Sequence, residues 1–221
     1  DLKGVESGEI TQEEAEYMQA YTIIGKNGVM SMNCPEIPVK FSATDPVSYS
    51  KAVTYGRKMM HHIADYLIRH LPGFEKAFIS REAAMLGARE SWRIRGRHYL
   101  VEDDYHDQSR FSDAVCRTAW FIDAHGEKVS EKLPKGGFYE IPYGSLVTKE
   151  IENLIVTGRC ISASFILQAS MRIQPTCMSI GEAAGIAAAW GLSHRIAANE
   201  IKWDAIPAAK RSYVSAAKVK A

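Results

Sequence analysis

The sequence predicts an α+β protein, and three observations carry the prediction. Apolar residues recur every three or four positions between Asp45 and Leu71, the signature of an amphipathic helix. Short strand-like runs divided by glycine and acidic clusters fill the middle third, as in an antiparallel sheet. The apolar stretch Leu154-Ile155-Val156 stops near Gly158, and an alanine-rich helical segment follows it, which makes a strand–helix unit.

Taken in order, residues 12 to 30 and 46 to 72 read as two helical stretches, with Pro35 and Pro38 marking an extended connector over 33–44. The second stretch has Asp45 as N-cap, Pro46 at the first helical position and Leu71-Pro72-Gly73 as a stop. Strand-like runs come next at 91–101, 117–123 and 139–147, separated by the acidic stretch 102–107 and by Lys135-Gly136-Gly137. Residues 153–157 fit a strand buried on both faces. A helix is expected from about Pro175 to Trp190, ended by Gly191, and a surface helix from Ile201 grades into a basic tail. The segments are therefore 1–77 helical, 78–150 antiparallel, 151–195 strand and helix, and 196–221 C-terminal helix and tail.

Composition excludes several classes. Lys and Arg number 27 against 26 for Asp and Glu, a formal charge of +1, so nothing steers the chain to nucleic acid or an anionic membrane. Hydrophobic content of 46% with 24% charged residues is that of a folding globular chain. No apolar run is long enough to span a bilayer. The four cysteines form no CxxC pair, which suits free thiols in a reducing cytoplasm. A chain that begins with Asp1 rather than Met is expected to be a processed or truncated product.

The candidate site lies between Asn153 and Trp190. A strand ending at Gly158-Arg159 places a turn and a guanidinium where open α/β sheets hold ligands, and the helix start near Pro175 offers unpaired N–H groups and partial positive charge. The same pattern serves a packed βα unit, because Gly181, Ala184, Gly185 and Ala188 form a small-residue stripe that lets either a backbone or a flat ligand approach. Asp123 and His125 share a strand face and could form an acid/base pair, or a structural hydrogen bond. Arg89, Arg93, Arg95 and Arg97 alternate along a possible strand, either to bind an anion or as a solvated face. His98, Asp103, Asp104, His106 and Asp107 lack a recognised metal-ligand spacing, so no metal site is expected. Cys160 and Cys177 read as buried structural cysteines.

Several ordered motifs resemble the C-terminal half of the FAD-dependent oxidoreductase family. They are Tyr139 to Leu146, Asn153 to Ala163, Ser170 to Cys177 and Gly181 to Ala188, with Leu86 to Glu90, Arg93, Gly96, Leu100, Asp113 to Val115 and Ile122 to His125 upstream. The resemblance spans about residues 80 to 195. It implies the C-terminal part of an FAD/NAD(P)-binding flavoprotein fold, with a substrate-side antiparallel sheet and a strand–helix unit completing the flavin domain. By the same resemblance, Gly158, Arg159, Arg172, Gln174, Thr176 and Cys177 contact FAD, and hydride passes between a small organic substrate and the flavin. No GxGxxG turn occurs in the sequence, so the chain is expected to lack its main dinucleotide-binding segment, to be inactive alone, and to bind FAD weakly or not at all. The alternative is a non-catalytic scaffold domain whose small-residue helix packs on a partner, in an oligomer or otherwise.

Overall fold

The computed structural model describes residues 2–16, 18–38, 40–124 and 129–215. The chain divides into two compact units, Asp1–Ala88 and Arg89–Ala221. Helices combine with small antiparallel sheets throughout, an α+β architecture.

The first unit contains α1 (Leu2–Glu6), α2 (Gln12–Glu16), the hairpin strands β1 (Ala20–Thr22) and β2 (Met30–Met32), and α3 (Pro46–His70). Thr11 and Glu14 cap α2 reciprocally: the Thr11 amide donates to the Glu14 carboxylate at 2.8 Å, and the Glu14 amide donates to the Thr11 hydroxyl at 3.2 Å. The single helix expected over residues 12 to 30 is thus a correction. It ends at Glu16, because Tyr21-Thr22-Ile23-Ile24 favours extended backbone and Gly25 and Gly28, with φ of +78° and +75°, close a turn between paired strands.

The long helix α3 follows its sequence signature. Asp45 accepts from the amides of Val47 at 3.1 Å and Ser48 at 3.3 Å, and Pro46 occupies the first turn. Ala52, Gly56, Met59, Ile63, Tyr66 and Leu67 form its buried stripe. The stripe fits its surroundings closely at Gly56, where a β-carbon would stand 2.7 Å from Ile37 Cδ1. Asp45→Ala should destabilise the unit by about 1 kcal/mol, the usual worth of an N-cap. Amide exchange at Val47 and Ser48 should rise while the C-terminal turns of α3 stay protected; equal exchange in both proteins would refute the cap.

The second unit contains α4 (Glu102–His106), β3 (Ala114–Thr118), β4 (Ile122–Ala124), β5 (Val129–Glu131), β6 (Tyr139–Pro142), α5 (Phe165–Met171) and α6 (Gln174–His194). β3 pairs antiparallel with β6, setting Arg117 opposite Glu140 and Thr118 opposite Tyr139, with a bulge near Val115. β4 pairs antiparallel with β5. Tyr139, Ile141, Tyr143, Leu167, Ile180 and Trp203 are among the side chains removed from solvent in its core.

Four further expectations are corrected here. Residues 91–101 form no strand; Gly96 and Leu100 make single bridges to Thr148 and Ala163. Residues 153–157 form no buried strand either, since Ile155 has one bridge, to Val147, and Leu154 to Val156 are only half-buried. A ladder needs a neighbour along its whole length, and these runs are bridged only at isolated positions, two in the first and one in the second. Gly191 lies inside α6 rather than past its end: a β-carbon there would meet the Ile196 carbonyl at 2.9 Å, and the helix closes at left-handed Arg195. The expected helix from Ile201 is instead two short 3-10 turns, Trp203–Ala205 and Ala208–Lys210, because Ile201, Trp203 and Ile206 bury at a spacing no single helix face supplies.

Candidate functional site

The site forms where three loops meet the start of α6. Thr157 is extended and Gly158 turns left-handed, with φ of +68°, into a 3-10 turn over Gly158–Cys160. Nothing lies within 4 Å of a β-carbon built on Gly158, so backbone conformation rather than crowding reserves that position for glycine. The turn packs against α6.

Arg159 Nη1 donates to the Arg89 carbonyl at 3.3 Å. Buried Gln168, on α5, donates from Nε2 to the same carbonyl at 3.3 Å and to the Arg159 carbonyl at 3.5 Å, which fixes both loops to one helix. Arg172, at the end of α5, donates from Nη2 to the Asp123 carbonyl at 2.6 Å and stands 3.5 Å from its carboxylate. Arg89 Nη1 lies 3.9 Å from the same carboxylate and has no hydrogen-bond partner among the described residues. Burial holds the Arg172 guanidinium below its ordinary pKa; Arg89 and Arg159 push the same way and Asp123 opposes them. Three guanidinium groups therefore share one neighbourhood with a single carboxylate between two of them.

The first turn of α6 is tied inward. The Thr176 hydroxyl lies 3.1 Å from that of Thr118 on β3, both buried. The Cys177 thiol donates to the Arg172 carbonyl at 3.4 Å, and burial raises its pKa against the pull of Arg159. The cap residue Ile173 supplies no side-chain acceptor, and Gln174 is exposed at the helix start. The turn thus keeps its partial positive charge.

The sequence-predicted residues divide accordingly. Gly158, Arg159, Arg172 and Cys177 come together, Gln174 stands exposed at the start of α6, and the Thr176 hydroxyl is spent on β3. Asp123 joins them through Arg172 and Arg89. His125 lies outside the described residues. Cys160 is exposed, which corrects its expected burial, and all four cysteines are free. The four odd-numbered arginines share no strand face, another correction: Arg93 binds Glu90 and the Ala163 carbonyl, Arg95 lies 4.8 Å from the Tyr99 ring, and Arg97 reaches the Asn199 carbonyl. Sequence reasoning missed Arg89 and Gln168 as site residues. Arg89 lies within the Leu86 to Glu90 motif, but its alternation with Arg93, Arg95 and Arg97 sets it in sequence among arginines that have other partners. Among the described residues no group of three or more His, Cys, Asp or Glu is placed to hold a metal ion, and no helix is long and apolar enough to cross a membrane.

The fold is thus α+β, and its gathered cations and helix start suit an anionic or electron-rich ligand. The chain belongs to the FAD dependent oxidoreductase family, whose family model matches residues 4–210. No curated protein and no solved structure matches the chain. The donor set fits one end of the family's cofactor: guanidiniums and uncapped N–H groups complement the electron-rich pyrimidine edge of a flavin. No GxGxxG turn for the pyrophosphate is present in the sequence.

Proposed function

We propose that this chain forms the flavin-facing and substrate-side part of an FAD-dependent oxidoreductase acting on a small organic substrate. The observation that carries this reading is the gathering of Arg89, Arg159 and Arg172 in one neighbourhood ahead of α6, in a chain of that family. Arg159 and Arg172 would hold the ring edge, and Asp123 keeps Arg172 and Arg89 oriented between ligand and sheet. Gln168 holds the two loops in register, and Gly158 leaves its side open for close approach. When bound, FAD supplies the hydride chemistry. The pyrophosphate would require a glycine-rich turn from a further segment, so these residues alone bind FAD weakly and turn over no substrate.

Titrating FAD with the chain and following flavin absorbance and fluorescence tests the reading. A saturable shift is expected, weakened at least tenfold by Arg172→Ala, since a hydrogen bond to a charged group contributes about 1.5–3 kcal/mol. Arg159→Ala, at an exposed position, should weaken it likewise without a folding defect. Identical titrations in all three proteins would sink the assignment.

The scaffold alternative draws on the other face of α6, where Met178 and Leu192 are 74% and 83% exposed and Gly181 and Gly185 face open space. On that alternative the flavin titration stays flat even when a GxGxxG-bearing segment is supplied.

A further inference from the structure

A second cationic place lies on the other side of the β3–β6 ribbon. Side chains alternate along a strand, so Thr118, directed at Thr176 of α6, puts its neighbour Arg117 on the opposite face. There Arg117 lines a hollow of about 550 Å³ together with Leu133, Lys135, Gly136, Gly137 and Phe138. Its rim is a tight turn in which the Gly137 amide donates to the Pro134 carbonyl at 2.8 Å, and Gly136, with φ of +81°, takes the position only glycine fills easily. That geometry lifts Lys135 to the tip of the turn, where it is exposed.

The ionisable side chains that line this hollow carry one sign of charge. Arg117 and Lys135 are its ionisable lining residues, both cationic. The Arg110 and Arg117 guanidinium carbons stand 3.6 and 4.9 Å from the centroid of the Phe138 ring, which keeps both charges beside an apolar surface. Two acids outside the lining have partners of their own. Glu140, opposite Arg117 in the ladder, is buried and accepts from the Phe111 amide, Tyr213 and Ser215, and Glu131 pairs with His106 at 3.2 Å. Lys135 has no acidic partner among the described residues.

We propose that this hollow binds a small organic oxyanion, its phosphate or carboxylate group held by Lys135 and Arg117 and its apolar body laid against Leu133 and Phe138. A hollow of this size with an apolar floor and two convergent polar groups has the form of a small-molecule site. Because the ribbon separates it from α6, binding here is independent of the flavin assignment.

The test is amide NMR of the full chain, titrated with phenyl phosphate and, separately, phenylacetate at constant ionic strength. Saturable shifts of the Gly136 and Gly137 amides are expected with at least one probe, and which probe saturates identifies the oxyanion. Lys135→Gln, at an exposed turn tip, should weaken that binding at least tenfold, and Arg117→Gln should do the same. Arg159→Ala, which tests the flavin site, should leave these two amides unchanged in their response. No saturable shift with either probe, or unaltered binding in Lys135→Gln, overturns the proposal.

Discussion

Trp203→Ala should cost about 3–5 kcal/mol, the range for emptying a fully buried tryptophan site. The indole is sealed from solvent and stacks on Tyr143 with ring centroids 6.1 Å apart and planes 13° apart. It anchors the chain beyond α6, whose short 3-10 turns are too brief to hold themselves. The same residue supports a second, opposite expectation. Its Nε1–H is buried and has no hydrogen-bond partner among the described residues, so the indole carries a desolvation penalty. Trp203→Phe keeps most of the apolar area and removes the unpaired donor, and it should cost less than about half of the alanine value. Denaturant unfolding of the three proteins measures both effects. An alanine variant as stable as the phenylalanine variant would show that Trp203 is not packed as described.

The second large effect belongs to Glu140. Its carboxylate is wholly buried on β6 and accepts from the Phe111 amide at 2.9 Å, from the Tyr213 hydroxyl at 2.7 Å, and from the Ser215 hydroxyl at 2.9 and 2.8 Å through its two oxygens. These bonds stitch the C-terminal stretch and the loop before β3 onto one strand. Burial, and the carboxylate beside it, push the Tyr213 hydroxyl up to about 12, so that it stays a donor through neutral pH. Glu140→Ala strips the acceptor from all three donors and should cost about 2–3 kcal/mol, with the stretch around Tyr213 becoming open to proteolysis. Tyr213→Phe removes one donor and leaves the carboxylate its other partners, so its cost should be about 1 kcal/mol. Limited proteolysis beside thermal unfolding separates the two. Cleavage near Tyr213 that is no faster in Glu140→Ala than in the unaltered chain would remove Glu140 from this role.

The two residues also show where sequence patterns stop being informative. Trp203 stands in a segment whose apolar spacing suggested a surface helix, yet it is among the most deeply buried side chains. Glu140 stands in a strand-like run where a carboxylate would ordinarily face water, and its burial is possible because residues 73 and 75 positions further along supply donors. Neither partner is visible from a local window.

What the sequence determined by itself is what depends on near neighbours. The helix α3, with its Asp45 cap and Pro46, lies in periodicity and capping chemistry spanning a few residues, and the body of α6 in Pro175 at its start and its small-residue composition. Family membership is likewise carried by short ordered motifs. What only the tertiary structure decided depends on distant ones. It reduced residues 91–101 and 153–157 to single bridges, since a strand exists only where another chain segment pairs with it. It divided the four alternating arginines among unrelated partners and brought Arg89 to Asp123 and Arg172, residues 34 and 83 positions away, since 123 − 89 = 34 and 172 − 89 = 83. Helical hydrogen bonds close within four residues and so are written locally, whereas a strand's partners and a charge cluster's members are chosen by how the whole chain folds back on itself.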